Sequence, residues 1–311
     1  MSKSSDKEVP EMKFQFDHDY HIHSFISPCS DDPQQVPENI LRYAQKNGLR
    51  QIVLTDHFWD TLAEGDEKHV WWEVPFEAVA AARPLPQGEN TRFLFGCEVD
   101  MDGKDNIGIH PSHYNEFDFI IVPTTHMHLF FPKTVTIAER ADMYIRRFDK
   151  ILNSDLPFKK VGIAHLTCSL MANMYREAHL EVLRLVPDQE LERLFLGARE
   201  KGCGIELNFV PDRYNEEELE IVLRPYRIAK ACGCKFYLGS DAHRQKEFEQ
   251  ISSRFETITP SSVSMMCRFW SKEPKTLITF SIRSICIVFS IMCPFPRYPV
   301  FSIGYPYTRL P

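Results

Sequence analysis

No Cys-x-x-Cys pair occurs among the nine cysteines of the chain, and their number is odd. A disulfide framework is therefore not expected, and a reducing cytoplasm is the expected compartment. Most of these cysteines read as small buried apolar residues. Basic charge is also scarce, since acidic side chains outnumber basic ones and leave a net charge of −7. That gives no general reason to expect long nucleic acid as a partner. The opening segment, Met1–Lys7, is polar and lacks the apolar stretch of a secretory leader. The apolar segment Leu277–Cys293 is about 17 residues long and is broken by Arg283. It stands at the short limit for a membrane span, and no membrane association is expected. What is there is a globular composition, 43% hydrophobic and 25% charged over 311 residues. That suffices for one large α/β domain or two ordinary ones.

Between Phe14 and Phe248 strand-like and helix-like segments alternate. Apolar or β-branched runs occur at Phe14–His23, Gln51–His57, Arg92–Asp100, Phe117–His126, Val161–Thr167, Cys203–Phe209 and Lys235–Asp241. Helical patterns lie between several of them. Glu38–Asn47 follows Pro37 and stops at Gly48, and Gln189–Lys201 follows Asp188, read as its N-cap, and stops at Gly202. Glu216–Ala231 follows Asn215, with Glu218 placed for a capping box. Pro225 is expected to kink or split that helix. Strand, helix, strand repeated implies parallel strands with helical crossovers.

The strand ends carry the chemistry. The seven runs finish at or near His21 and His23, His57, Glu98, His126, His165, Asn208 and Asp241. A β/α barrel gathers its strand ends on one face, whereas an open doubly wound sheet spreads them along an edge, so the barrel is favoured. In His21-Ile22-His23 the two imidazoles share a strand face, although such a triplet alone is a weak signal. Thr55-Asp56-His57 closes an apolar run, which a strand-end cap also explains. Glu98 sits in Leu94-Phe95-Gly96-Cys97-Glu98-Val99, where a lone carboxylate is costly unless paired or metal-bound. Any single histidine here has an alternative as a satisfied core residue; the repetition favours a metal site. Imidazoles and carboxylates without clustered thiolates suit Zn, Mn, Fe or Co. About nine candidate ligands exceed the four of one tetrahedral ion, so two or three divalent metal ions are expected, with Glu98 bridging.

Taken in order, His21-Ile22-His23, Thr55-Asp56-His57, Gly96-Cys97-Glu98, His126, Gly162-Ile163-Ala164-His165 and Gly239-Ser240-Asp241-Ala242-His243 resemble the PHP (polymerase and histidinol phosphatase) superfamily. The resemblance covers roughly residues 14 to 250 and is to the stand-alone histidinol-phosphatase-like branch. It implies a distorted (β/α)7 barrel with a trinuclear metal site. It further implies His21, His23, Glu98 and Asp241 on the first ion, Glu98, His126 and His165 on the second, and His57 and His243 on the third. The third site takes one more ligand from the loop after the first strand, and Asp31 is chosen over Asp32. A metal-bound hydroxide would be the nucleophile, and Asp56 would orient a ligand histidine. Arg213, Arg244 and Asn208 are the candidates for holding a small phosphorylated substrate. Trp71-Trp72 and Phe130-Phe131 are either pocket walls or core. Metal-dependent phosphomonoester hydrolysis is the leading expectation. Phosphodiester or nucleotide hydrolysis, and a non-catalytic metal-binding barrel, are the alternatives.

Composition changes from about Ile251. The last stretch, 251–311, has seven Lys or Arg against Glu256 and Glu273, and a single glycine, Gly304. Its charge of +5 leaves −12 for the rest of the chain. Residues 1–13 are expected to be a tail, 14–250 the domain, and 251–311 an atypical segment outside it.

Overall fold

The computed structural model describes residues 16–65 and 74–262. Trp71-Trp72 and residues 263–311, which include the apolar segment 277–293, lie outside the described residues. The strands are β1 (His18–Ile22), β2 (Gln51–Leu54), β3 (His57–Phe58), β4 (Arg92–Val99), β5 (Phe119–Pro123), β6 (Val161–Ala164), β7 (Gly204–Leu207) and β8 (Lys235–Leu238). All pairings are parallel, in the order β1-β2-β4-β5-β6-β7-β8, with β3 on β4. The run expected over Gln51–His57 is thus one strand position broken at Thr55-Asp56. Seven positions form a nearly closed barrel. At its seam β8 meets β1 partly through side chains: Leu238 N–H donates to His18 Nε2 (3.0 Å) and Ser240 N–H to Asp19 Oδ1 (2.9 Å). Beyond the strands the backbones bond directly, with Asp241 N–H to His21 O at 2.7 Å and His23 N–H to Ala242 O at 3.0 Å.

Alternation along the strands divides the interior into two storeys. Tyr20, Val53, Leu94, Phe119, Ile121, Ala164 and Tyr237 form a separate apolar cluster that plugs the barrel. Their neighbours, among them Ile52, Phe95, Ile120, Ile163, Ile205 and Phe236, belong to the larger core beneath the helices. Gly96 is required here: a Cβ would stand 2.5 Å from Phe119 O and 2.7 Å from Val53 Cγ1. On β1 the pairing with β2 shifts register between Asp19 and Ile22. Tyr20 therefore joins the plug while His21 and His23 face inward above it and Ile22 faces the outer core.

The helices are α1 (Pro37–Lys46), α2 (Phe76–Ala80), α3 (Ile137–Leu152), α4 (Ala178–Leu185), α5 (Asp188–Lys201), α6 (Glu216–Ala231) and α7 (Phe248–Ser262). Asn215 and Glu218 close the expected capping box on α6. Two expectations need correction. Pro225 does not split α6, which runs through it. Pro187, not Asp188, caps α5. The boundary expected at residue 250 also falls inside a helix: α7 crosses it, burying Ile251, Phe255 and Ile258 in the core. Composition marks a change of sequence there, but the apolar spacing 251, 255, 258 is helical and keeps this turn on the barrel. Phe131 packs against the core. No helix among the described residues is long and apolar enough to cross a membrane.

Candidate metal centre

Glu98, near the end of β4, is fully buried, and neither of its carboxylate oxygens has a hydrogen-bond partner among the described residues. They are ringed by imidazole nitrogens instead. Oε2 lies 3.4 Å from His21 Nε2, 3.2 Å from His23 Nε2 and 3.4 Å from His57 Nδ1. Oε1 lies 3.2 Å from His165 Nε2 and 4.0 Å from His126 Nε2. Asp241 Oδ1 stands 3.4 Å from His21 Nε2 and 3.2 Å from His23 Nε2. His243 stacks on His23, with ring centroids 4.2 Å apart. Side chains from six strand ends and more than two hundred residues of sequence therefore meet in one pocket.

Most of these imidazoles are anchored by their other nitrogen. His21 Nδ1 bonds to Glu206 Oε1 (2.5 Å), His126 Nδ1 to Asp100 Oδ1 (2.7 Å) and His243 Nδ1 to the Asp241 carbonyl (2.8 Å). Ser27 Oγ donates to Asp56 Oδ1 at 2.7 Å and so accepts from His23 Nδ1 at 2.9 Å. Asp56 also accepts from Ser24 N and Ser24 Oγ, both at 2.7 Å. It thereby orients His23 through one hydroxyl. These partners favour the proton on Nδ1 and turn Nε2 to the pocket, where His21 Nε2 and His23 Nε2 stand 3.0 Å apart, the arrangement that metal-ligating histidines show.

Charge makes the same point. Glu98, Asp100, Glu206 and Asp241 surround the pocket; burial pulls the His21, His23 and His165 imidazoles down, but these carboxylates outweigh it and raise all three. Burial pushes the Glu98 carboxyl up, but His57 and His21 outweigh it and hold it well below the usual range. Burial likewise raises Asp241, and His21, His243 and His165 bring it well below. His243 is pushed down to about 3 by burial and by His23 beside it. The backbone is strained at the same place: His165 and Asp241 have φ of 58° and 57°, a region that costs a residue with a side chain about 1–3 kcal/mol. His165 N–H donates to Glu206 Oε2 (2.9 Å) and Asp241 N–H to His21 O, which holds both turns.

The donor set fits divalent ions. His21, His23 and Asp241 form one group, and His21, Glu98 and His165 another, with ligand atoms in each group within 4.8 Å of one another. A third group comprises His23, Cys29, His57 and His243. Asp31 is not in it: its side chain is 73% exposed and pairs with Arg244 Nε at 2.5 Å. The expectation for Asp31 is corrected accordingly, since the loop turns Cys29 toward the pocket and Asp31 toward solvent.

The pocket opens into a cavity of about 690 Å³ lined by Asn208, Arg213, Arg244, Arg254 and Tyr214 among others. Arg244 is neutralised by Asp31 and Glu247. Among the described residues no carboxylate pairs with Arg213. Arg254 is held by neutral acceptors, the carbonyls of Phe209 (3.2 Å) and Ser240 (2.9 Å) and the Asn208 amide oxygen. Asn208 Nδ2 is buried without a partner among the described residues. Sequence reasoning missed Arg254, Glu206, Asp100 and Ser27. Glu206 carries the same signal as Glu98, a carboxylate inside an apolar run. Arg254 was hidden by the composition change around it.

No family model matches the chain, and no curated protein matches it. Among solved structures it is similar to a histidinol phosphate phosphatase from Lactococcus lactis complexed with zinc, L-histidinol and phosphate. The identity is 16% and the TM-score 0.47, over 78% of this chain and 93% of the other. It is also similar to a probable 2-pyrone-4,6-dicarboxylic acid hydrolase from Acinetobacter baumannii. There the identity is 12% and the TM-score 0.40, over 78% of this chain and 91% of the other. A D-hydantoinase from a Bacillus species matches at 12% identity and a TM-score of 0.34, over 71% of this chain and 46% of that one.

Proposed function

We propose that this protein is a metal-dependent hydrolase acting on a phosphomonoester of a small molecule. The observation that carries the reading is Glu98, whose two buried oxygens face five imidazole nitrogens without a hydrogen bond. A carboxylate in that state is complete only when cations lie between it and the lone pairs around it. His21, His23, Glu98 and Asp241 would hold one ion, Glu98, His126 and His165 a second, and His57 and His243 part of a third. Bound divalent ions supply Lewis acidity and lower the pKa of water, so no protein nucleophile is needed.

The chain's own residues then bind and orient. Among the described residues no carboxylate forms an ion pair with Arg213 or Arg254, although Asp241, Glu206 and Asp19 bear on Arg254 from a distance. The charge of these two arginines suits a phosphate dianion entering the cavity. Asn208 Nδ2 offers a donor on the same wall. Arg244, already paired twice, is the weakest of the three arginines as an anion contact. Asp56, through Ser27, keeps His23 in one orientation. Zinc- or manganese-loaded full-length protein should hydrolyse an aryl phosphate and a panel of phosphorylated metabolites, and lose that activity on chelation. Turnover of phosphodiesters alone, or none with metal bound, would overturn the phosphomonoester reading.

A further inference from the structure

We propose that Cys29 is a thiolate ligand which, with His57 and His243, builds a site for zinc or cobalt unlike the carboxylate-centred sites around Glu98. This rests on the metal-hydrolase reading and adds which ion one of its sites selects. Cys29 sits in the loop after β1, and that loop is tied down on both sides. Ser27 Oγ bonds to Asp56 and His23, Ser30 N–H donates to Ser27 O (2.9 Å), and Ser30 Oγ donates to His243 O (2.8 Å). The Cys29 sulfur lies in one group with nitrogens of His23, His57 and His243, all within 4.8 Å of one another. An ion with bonds of about 2.3 Å to sulfur and 2.0–2.1 Å to nitrogen would draw such a set modestly inward.

Three other thiols among the described residues behave differently. Cys203, Cys232 and Cys234 each donate Sγ–H to a backbone carbonyl, of Ala198, Glu192 and Phe195. Those are buried apolar residues with their polar atom satisfied. Cys29 is partly buried, lines the cavity and faces imidazoles. The His23 nitrogen not held by Ser27, Nε2, is also approached by Glu98 and Asp241 at 3.2 Å and by His21 Nε2 at 3.0 Å. Assigned there, it leaves Cys29, His57 and His243 as three protein ligands with an open fourth position, the pattern of a catalytic rather than a structural zinc. The thiol gives up its proton to solvent as the sulfur binds the ion. A thiolate selects zinc or cobalt over manganese or magnesium, whereas the groups containing Glu98 and Asp241 suit harder ions as well.

Cobalt loading of the metal-free, full-length protein tests this. The wild type should show sulfur-to-cobalt charge-transfer absorption in the near ultraviolet, and Cys29→Ser should lose it together with one equivalent of bound cobalt. Cys168→Ser should keep both. Zinc affinity at the site should fall in Cys29→Ser by more than the roughly 10- to 100-fold that loss of an outer partner costs. Should the variant fold poorly, alkylation of the wild type mapped by mass spectrometry gives a second reading: zinc should protect Cys29 and manganese should not. Cobalt bound without a charge-transfer band, or Cys29 alkylated equally with and without zinc, overturns the thiolate assignment and leaves the hydrolase reading standing. Failure to bind any cobalt overturns both.

Discussion

The two walls of the barrel that carry buried glutamates differ in one respect. Glu98 on β4 and Glu206 on β7 are both fully buried, and both interrupt an apolar run. Glu206 is satisfied: it accepts from His21 Nδ1 at 2.5 Å and from His165 N–H at 2.9 Å. Glu98 is not, although more nitrogens surround it. Burial of a carboxylate thus announces that something compensates it, and its hydrogen bonds say what. A carboxylate filled by N–H donors positions its neighbours; one ringed by imidazole nitrogens without a hydrogen bond is placed to meet a cation. On the proposed reading the β4 wall would hold ions, and the β7 wall would orient their ligands and, through Asn208, Arg213 and Arg254, meet the substrate.

Glu98→Gln should break the comparison most severely. An amide cannot bridge cations, and its NH2 would face the nitrogens that now crowd it. Metal content and hydrolysis should fall together, with kcat/KM down by about a thousandfold or more, since a lost cation removes several kcal/mol of charge stabilisation. Metal analysis beside a steady-state assay checks this. Full metal content with full activity would end the bridging role.

Glu206→Gln should do less. Its remaining oxygen still accepts from His165 N–H, but the contact to His21 Nδ1 loses its charge, and metal affinity or activity should drop about 10- to 100-fold. If this variant matches Glu98→Gln in metal loss, the two walls are not different in kind and the assignment of Glu206 as a positioning residue fails.

How far these walls are legible in the sequence follows from what each signal encodes. Strand periodicity and the ionisable residues that end each run point His21, His23, Glu98, His126, His165 and Asp241 to one face, where the structure brings them together, because a parallel strand fixes where its end points. The same rule reaches Glu206, two residues before Asn208 in the same run. Loops carry no such period. Whether Cys29 or Asp31 turns inward is decided by the Ser27 and Ser30 hydrogen bonds to residues distant in sequence, and nothing local reports them. Arg254 is a third kind of case. Its surroundings change composition, yet the helix it belongs to is held by three buried apolar residues at helical spacing.

Arg254→Met should separate substrate binding from metal binding. The guanidinium contacts Phe209 O, Ser240 O and Asn208, so some stability will be lost. Loss of one charged hydrogen-bond donor is worth about 1.5–3 kcal/mol, so KM for a phosphomonoester should rise roughly tenfold to a hundredfold. Metal content should stay at the wild-type value. Loss of ions in this variant would show that the β7 wall supports the metal pocket as a whole.

The smallest expected effect lies behind the β7 wall. Arg176 pairs with both oxygens of Glu218, at 2.7 and 3.1 Å, and donates to Arg213 O at 3.1 Å. Glu218 thereby links the cap of α6 to the loop that carries Arg213. The Arg176 guanidinium, and then the Asn215 N–H, lower its carboxyl from 4.5 to about 2. A depressed pKa contributes stability that is complete above the ordinary value and is lost as pH falls toward the folded one. The wild type should therefore lose stability between pH 4.5 and about 2 more steeply than Glu218→Gln, by up to one proton in the pH slope. At neutral pH the variant should keep its metals and nearly all of its kcat. A KM that rises in Glu218→Gln without loss of metal would show that Arg213 is set in place from outside the cavity. Parallel acid-unfolding curves would show that the ion pair is no tighter in the folded chain than in the unfolded one.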